Sequence, residues 1–422
     1  MLPVGHQRRG DQLHFVRNLQ LMRILIVHNR YQQPGGEDAA VGHEQNLLRA
    51  AGHDVALAVV GNQSIETFGQ KARAAYHAAY SPSGLEWMRR QLGVHRPDLV
   101  QAHNVFPLLT PSIYDACEQA AVPVIQTLHN FRVTCAAATL LRQGSICEKC
   151  IGNTPYWAAI HRCYRDSLAG SLVMAHMIDF HRRRGTWRNK VQLFFALTEF
   201  ARQKYIAAGV PGERIAVKPN YAPLPPPLGP HTRRGGLFVG RLSVEKGVEP
   251  LLAAWRGIDY PLTIVGDGPL REKLFATATP NVIFRGRLKT ADVCEEMSRA
   301  AFLVVPSVCY EMLPMVIIEA FASGLPVFAS RIGGLPELIN DGADGKLFTC
   351  GDVNDIARVV SAAVEDPTGT SSMGVMARRT YDAIYSADAV YKVQIAAYER
   401  VLSQAAQDGV DRGGIRSTAG PP

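Results

Sequence analysis

Short apolar segments alternate with longer amphipathic segments through the first half of the chain. The short segments have the length and composition of β-strands, whereas apolar residues three or four positions apart indicate helices. The predicted strands are Arg23–His28, Val55–Val60, Asp98–Ala102, Val122–Thr127 and Val191–Leu197, and the predicted helices include Glu37–Ala51, Ser167–Arg183 and Glu199–Ala208. Strands that alternate with helices are typical of a parallel α/β sheet, so we expect one here.

A second series of strands and helices follows Pro219–Pro230, a segment with six prolines. Its predicted strands are Leu237–Gly240, Leu262–Val265, Val282–Arg285, Phe302–Val305 and Pro326–Ala329. Two series of similar size predict two Rossmann-like domains that face a cleft. The predicted divisions are a polar lead at 1–21, a first domain at 22–218, a linker at 219–235, a second domain at 236–385, a late helix at 386–407 and a disordered tail at 408–422.

One stretch of the second series, PSVCYEMLPMVIIEAFA at Pro306–Ala322, combines a strand end, a loop and a helix start. Pro314 suits the first turn of the helix. Open α/β sheets bind ligands at such places, because the helix N–H groups and dipole face the crevice. Glu311 in the loop and Glu319 in the helix either contact a ligand there or are ordinary solvated side chains. Their spacing alone leaves both interpretations open.

Glu311 and Glu319, in YEMLPMVIIEA, resemble the paired-glutamate motif of the family-4 type of retaining glycosyltransferases, which have the GT-B fold. Upstream, FVGRLSVEKG resembles that family's donor-phosphate element, and downstream SRIGGLPELINDGADGKLF resembles its closing signature. The three motifs occur in the family's order, and the likeness runs from Met22 to Arg400. The resemblance implies an α/β GT-B fold, a nucleotide-diphosphate sugar as donor, and a late helix that crosses back to the first domain.

A nucleotide sugar has a diphosphate leaving group, which many transferases neutralise with a metal bound by an Asp-x-Asp pair. No convincing Asp-x-Asp pair follows a strand in this sequence. Arg241 and Lys246 carry positive charges that suit a diphosphate, so no cofactor is expected for catalysis. The resemblance implies that Glu311 contacts the sugar and Glu319 the ribose. It also implies donor contacts from Gly36, Gly266, Arg285 and the backbone of Met312 and Leu313, although plain turns at Gly36 and Arg285 remain alternatives.

Two histidines follow neighbouring predicted strands, His103 in VQAHN and His129 in VIQTLHN. Both are expected at the edge of the sheet that faces the cleft. His129 matches the family's histidine near the reacting sugar, and we expect it to orient the sugar or stabilise charge. His103 and His28 are assigned to the acceptor side, and purely structural roles for these histidines remain the alternative.

Four cysteines between the fourth predicted strand and the helix at Ser167 form a separate feature. Cys147 and Cys150 are a C-x2-C pair, with Cys135 before them and Cys163 after them. In a cytoplasmic protein this spacing favours a structural zinc site over disulfides. Because a second C-x2-C pair is missing, reduced packing thiols or a redox pair remain alternatives.

The formal net charge of +8 fits phosphorylated substrates or an anionic membrane surface and does not by itself indicate nucleic-acid binding. No apolar run is long enough to span a bilayer. The N-terminal residues also lack a signal-peptide h-region, so a cytoplasmic protein is expected. The basic segment His181–Lys190, HRRRGTWRNK, is either a solvated turn or a contact with the inner face of the plasma membrane.

Together these patterns predict a retaining, metal-independent glycosyltransferase of cell-envelope or exopolysaccharide synthesis. Its acceptor is expected to be a glycan or a lipid-linked molecule. Two alternatives keep the same fold. The first is a sugar-nucleotide hydrolase or epimerase, which needs no acceptor, and the second is a binding protein that recognises nucleotide sugars without turnover.

Overall fold

The computed structural model describes residues 21–30, 35–62, 67–225 and 233–415. The first lobe contains β1 (Arg23–Arg30), α1 (Gly36–Ala50), β2 (Asp54–Gly61), α2 (Phe68–Tyr76), α3 (Pro82–His95), β3 (Leu99–Ala102), α4 (Ile113–Gln119), β4 (Val124–Leu128), β5 (Leu141–Arg142), β6 (Ser145–Ile146), α5 (Trp157–Ile160), α6 (Leu168–Arg183), α7 (Thr186–Asn189), β7 (Leu193–Ala196), α8 (Glu199–Ala207) and β8 (Ile215–Val217).

The second lobe contains β9 (Gly236–Val239), α9 (Val248–Trp255), β10 (Leu262–Val265), α10 (Arg271–Thr277), β11 (Val282–Gly286), α11 (Thr290–Arg299), β12 (Phe302–Val305), α12 (Met315–Ala322), β13 (Val327–Ser330), α13 (Leu335–Leu338), β14 (Gly345–Phe348), α14 (Val353–Glu365) and α15 (Pro367–Thr380). A π-helical turn, Tyr381–Tyr385, leads into the final helix, α16 (Ala387–Ile415).

In the described part of the chain, each lobe is built on a parallel sheet of six strands. The strand orders are β2-β1-β3-β4-β7-β8 in the first lobe and β11-β10-β9-β12-β13-β14 in the second. Helices cover both faces, so the central strands are apolar along their whole length rather than alternating. All four residues of β12 are buried, for example. The predicted α/β fold with two Rossmann-like domains is confirmed.

The chain connects the lobes through two segments that touch each other. One segment follows β8, and the other is the π-helical turn, whose Tyr381 hydroxyl donates a hydrogen bond to the carbonyl of Ala222 at 2.8 Å. Helix α16 then packs on the first lobe, where Val390, Tyr398 and Val401 share a core with Ile24 of β1. The late helix therefore crosses back, as the resemblance implies.

The outer segments differ in part from the sequence expectations. Helix α16 continues to Ile415, whereas the sequence predicted a disordered tail from residue 408. Most of the predicted lead, residues 1–20, and the last seven residues, 416–422, lie outside the described residues. Within the described ranges, no helix combines the length and apolar composition needed to cross a membrane.

Candidate active site

The Lys246 loop lies directly against the end of strand β12. Gly247, which follows Lys246, has a φ of +66°, and a Cβ atom there would stand 1.8 Å from the carbonyl oxygen of Pro306. Only glycine fits this close approach of two backbones. The contact brings the ammonium of Lys246 to within 2.6 Å of Glu311 Oε1. Two of the predicted site residues are thus paired across 65 residues of sequence.

The Lys246–Glu311 pair is partly shielded from solvent. Its side chains are 30% and 13% exposed, and the hydroxyl of Ser307 donates a second hydrogen bond to Glu311 Oε1 at 2.8 Å. Burial acts to lower the pKa of Lys246, but the charge and hydrogen bond of Glu311, together with Cys309 and Glu245, outweigh burial and raise that pKa. Lys246 therefore stays cationic at the mouth of helix α12.

The glycine pair of the closing signature packs against the Glu311 loop. The N–H of Gly334 donates to the carbonyl of Glu311 at 2.8 Å. A Cβ atom at Gly334 would stand 2.7 Å from the carbonyl oxygen of Met312. The signature SRIGGLPE is explained by this contact, because a side chain here would push the Glu311 loop out of place.

The start of helix α12 offers further groups for a ligand. In the described residues, the backbone N–H groups of Met312 and Leu313 make no hydrogen bond, and the Glu319 carboxylate has no donor. Glu319 is half-buried, and burial raises its pKa. Free amides at a helix N-terminus favour an anion, while a carboxylate inside the first turns can accept from hydroxyl groups.

The first lobe places the start of helix α1 opposite helix α12. A Cβ atom at Gly36 would contact the Met315 side chain at 3.4 Å, so the N-termini of the two helices lie on either side of the cleft. Asp38 completes the start of α1 by accepting from the N–H of Gly35 at 2.9 Å. The same carboxylate lies 3.0 Å from Nε2 of His28, which is buried in β1.

His103 and His129 form a hydrogen-bonded pair at the ends of β3 and β4. Nδ1 of His103 and Nε2 of His129 lie 2.8 Å apart, and the rings are stacked with centroids 5.1 Å apart. Burial holds the pKa of each imidazole well below its usual value, and the neighbouring histidines act in the same direction. Both rings are therefore neutral, and one ring donates to the other.

Glu44 favours one of the two proton arrangements of this pair. Its Oε2 lies 3.8 Å from Nε2 of His103, a buried nitrogen without a hydrogen-bond partner in the described residues. The negative charge favours a proton on that nitrogen, and in this tautomer Nδ1 of His103 accepts from Nε2–H of His129. Nδ1 of His129 then carries no proton and can accept a hydrogen bond. His129 borders a small pocket of about 40 Å³, which Glu37 and Asn130 also line.

Glu44, which lies beside the histidine pair, is a residue of the candidate site that the sequence interpretation did not include. It also binds Lys218, which starts the first connecting segment, at 3.2 Å, and the amide of Gln394 on the returning helix α16. Glu44 is on the apolar stripe of α1, with Ala40, Val41, Leu47 and Leu48. A carboxylate on such a stripe was the available signal, since buried charges need partners.

Residues 233–366 match the family model described as glycosyl transferases group 1. This segment is a glycosyl transferases group 1 domain. It contains all three motifs on which the resemblance rests, and the predicted relationship is confirmed at this level. Assignment to family 4 stays a prediction.

Curated relatives resemble the chain over about a third of its length. An uncharacterised glycosyltransferase of Methanocaldococcus jannaschii is 34% identical over 143 residues, which are 33% of this chain and 40% of that protein. A GDP-mannose-dependent alpha-mannosyltransferase of Corynebacterium glutamicum is 39% identical over 128 residues, 30% of each chain. The matched part thus spans less than half of these relatives.

Solved structures extend the similarity to both lobes. The Anabaena protein HepE, solved in complex with UDP-glucose, superposes with a TM-score of 0.62 over 90% of this chain and 99% of its own, at 18% identity. At this identity the similarity concerns the fold, and the predicted GT-B fold is confirmed.

The remaining predicted donor residues of the group 1 domain lie in different surroundings. Arg241 follows β9, is exposed and borders a large cleft. Gly266 follows β10, where it packs against the carbonyl of Gly240. Arg285 is on the edge strand β11, where it forms an ion pair with Glu296 of helix α11 at 3.0 Å. This guanidinium therefore already has a carboxylate partner, and its predicted donor contact stays a prediction.

The four cysteines lie near one another in the first lobe. Burial, followed by the neighbouring Cys135, Cys163 and Cys147, raises the pKa of Cys150 to about 11. All four are free thiols. Within the described ranges, however, no three Cys, His, Asp or Glu side chains are arranged to hold a metal ion. The thiols as placed do not fit a zinc ion. The zinc site stays a prediction, which measurement of the zinc content of the purified protein tests.

Several side chains of the basic segment His181–Lys190 are buried or form ion pairs within the first lobe. His181 and Trp187 are buried. Arg184 and Lys190 both form ion pairs with Asp115, at 2.7 and 2.5 Å. Three of the five cations of the segment, Arg183, Arg184 and Lys190, thus have carboxylate partners within the lobe, which weakens the expectation of a membrane contact there.

Proposed function

We propose that the protein is a glycosyltransferase that moves a sugar from a nucleotide-diphosphate donor to an acceptor hydroxyl with retention of configuration. The observation that carries the proposal is the Lys246–Glu311 pair at the N-terminus of α12, inside a group 1 domain and opposite Gly36. A cation, free amides and a carboxylate at one helix mouth suit the diphosphate and sugar of such a donor.

In this proposal Lys246, Arg241 and the amides of Met312 and Leu313 bind the diphosphate. Negative charge on the leaving oxygens grows as the sugar bond breaks, so positive groups held in place lower the barrier without reorganisation. Lys246 is suited to this role because its surroundings raise its pKa. These cations can supply the charge without a metal ion.

The sugar is proposed to lie between Glu311 and His129. Glu311 would accept from its hydroxyls, and Nδ1 of His129 would accept from another. The bond from the anomeric carbon to the diphosphate breaks, and the acceptor oxygen bonds to that carbon on the same face. The acceptor proton passes to the departing phosphate oxygen, so no protein nucleophile is required.

The setting of the reaction is proposed from the same expectations. They are a glycan or lipid-linked acceptor, a cytoplasmic location and a role in cell-envelope or exopolysaccharide synthesis. The UDP-glucose of the HepE structure and the GDP-mannose dependence of the mannosyltransferase belong to those proteins. They indicate which donors to test first.

A donor panel tests the proposal. UDP-, GDP- and ADP-sugars are added to the purified protein, and the melting temperature is measured. A true donor at a hundred times its Kd adds about 2.7 kcal/mol to the free energy of unfolding. We expect one donor to stabilise the wild type and not Lys246→Met. Lys273→Met is the matched control, because Lys273 pairs with Glu249 on the surface of the same lobe.

Product analysis then separates the alternatives. Retaining transfer requires an acceptor and releases the nucleotide diphosphate. The new linkage then has the same anomeric configuration, α or β, as the donor. An inverted linkage contradicts retention. Equal release without an acceptor indicates a hydrolase, and an isomerised donor indicates an epimerase. Stabilisation without any turnover indicates a binding protein.

A further inference from the structure

A second, larger cleft opens beside the His129 pocket. It has a volume of about 1400 Å³, enough for a ligand larger than a single sugar. Its described lining includes four cations and no aspartate or glutamate: Lys71, Arg132, Arg165 and Arg241. A cleft lined by one sign of charge attracts ligands of the opposite sign.

These cations lack the carboxylate partners that neutralise others in the same lobe. Arg184 and Lys190 share Asp115, and Lys218 binds Glu44. Lys71 and Arg165, by contrast, have no ion pair among the described residues. Their positive charge is available to a ligand.

Arg132 is held in position without being neutralised. Its guanidinium lies 5.1 Å from the centre of the Phe106 ring and 5.9 Å from that of Tyr164. One terminal nitrogen donates to the carbonyl of Ala136 at 3.3 Å, whereas the buried Nε has no partner in the described residues. A fixed guanidinium with an unused donor suits a phosphate oxygen.

The cleft is continuous with the proposed sugar site. Phe106 and Arg132 line both the cleft and the small pocket that holds His129. Arg241 of the group 1 domain lies on the opposite side of the cleft. A ligand in the cleft would therefore reach the reacting sugar with one end.

Part of the remaining lining is apolar. Ala74 and Ala75 of α2, Ala78 just after it, and Val173 and Met174 of α6 form this part, while Asn62 and Ser167 are polar members of the lining. Cations near the reaction point and an apolar wall suit a ligand with an anionic group and a hydrocarbon part.

We propose that this cleft binds an acceptor with a phosphate or diphosphate next to the sugar that accepts. The proposal rests on the glycosyltransferase function, since it assigns the acceptor class of that same site. Arg132, Arg165 and Lys71 bind the phosphate oxygens, and the walls of α2 and α6 contact the group attached to the phosphate.

Direct binding tests this without requiring turnover. The protein is first saturated with UDP or GDP, whichever stabilises it, so that the donor site is filled. Farnesyl diphosphate, farnesol and a hexose 1-phosphate are then titrated by calorimetry. We expect farnesyl diphosphate to bind at least tenfold more tightly than farnesol. Comparing it with the hexose 1-phosphate distinguishes a lipid-linked acceptor from a soluble sugar phosphate.

Variants locate the site. Lys71→Gln/Arg165→Gln changes two exposed side chains, and Arg132→Gln changes the buried donor. Arg132→Gln is expected to weaken binding of the diphosphate about tenfold, the effect of losing one charge-assisted hydrogen bond, and the double variant, which removes two charges, by more than about tenfold. Arg183→Gln is the control, because Arg183 is on α6, the helix that supplies Val173 and Met174 to the cleft, but pairs with Asp179 outside the cleft.

Two results would overturn the proposal. One is equal affinity for farnesol and farnesyl diphosphate. The other is diphosphate binding that survives both cleft variants and is lost in Lys246→Met, which would place the ligand in the donor site. Failure of the glycosyltransferase function is seen separately, as a lack of stabilisation by every nucleotide sugar.

Discussion

The two walls of the cleft fix their charged groups in different ways. In the group 1 domain, Lys246 and Glu311 are on loops that glycines hold against each other, and 65 residues separate them. In the first lobe, Glu44 gathers Lys218 and Gln394 from 174 and 350 residues away. The wall from the group 1 domain is a set of sequence motifs, whereas the wall from the first lobe is a buried network that exists only after the chain has folded.

Because of this difference, we expect substitutions in the two walls to affect different properties of the protein. The loops of the group 1 domain are part-exposed and touch the proposed ligand, so substitutions there should change turnover more than stability. The Glu44 network is buried and joins the first connecting segment and the returning helix α16 to α1, so substitutions there should change stability first.

The largest expected effect is on turnover at the Lys246–Glu311 pair. Lys246→Met or Glu311→Gln should lower kcat by about 10²–10³, the usual cost of removing one group that stabilises developing charge. Steady-state kinetics with the identified donor measure this, and Lys273→Met should remain close to the wild type. Activity within threefold of the wild type in both site variants would contradict the assignment.

Next in size is the stability of the Glu44 network. Glu44→Ala leaves Lys218 buried without its partner, and it should lower the free energy of unfolding by about 3–5 kcal/mol. The double variant Glu44→Gln/Lys218→Met removes both charges and should recover most of that loss. Urea denaturation measures both proteins. A double variant no more stable than Glu44→Ala would show that the charges are not what the network balances.

A smaller effect on the free energy of unfolding is expected at Gly334, which packs against the Glu311 loop. Gly334→Ala places a methyl group 2.7 Å from the Met312 carbonyl, which should cost about 1–3 kcal/mol and displace the Glu311 loop. The loss of kcat, converted to a free energy, should exceed the loss in the free energy of unfolding. Gly257→Ala is the control, because a Cβ atom there meets nothing within 4 Å. Equal behaviour of the two variants would contradict the role of the glycine pair.

The smallest effect concerns pH. Burial lowers the pKa of His103 in the folded protein, so below about pH 6.5 the unfolded state binds more protons and stability falls as pH falls. The groups facing this imidazole are His28, His129, Glu44 and Lys218. Each such histidine contributes at most about 1.4 kcal/mol per pH unit.

His103→Phe should therefore reduce the slope of stability against pH between 5 and 6.5. Melting temperatures across that range test it, with the exposed His95→Gln as the matched control. An unchanged slope in His103→Phe would mean that His103 is not neutral in the folded state.

Much of this protein was determined by sequence alone. Alternating apolar and amphipathic segments predicted five of the six strands of each sheet, because parallel strands covered on both faces must be apolar throughout. The sixth strands, β8 and β14, were not predicted from the sequence. The motifs of the group 1 domain specified Lys246, Glu311 and Glu319, because their spacing depends on loops between neighbouring elements.

Only the tertiary structure decided the first lobe's site. Contacts between distant segments decide which partners Glu44 binds and which tautomer His129 adopts. They also decide that Arg184 has a carboxylate partner while Arg132 has none. The sequence shows that these residues are charged, but their charges become functional or structural only through the neighbours that folding provides, because pairing and burial decide what a charge can do.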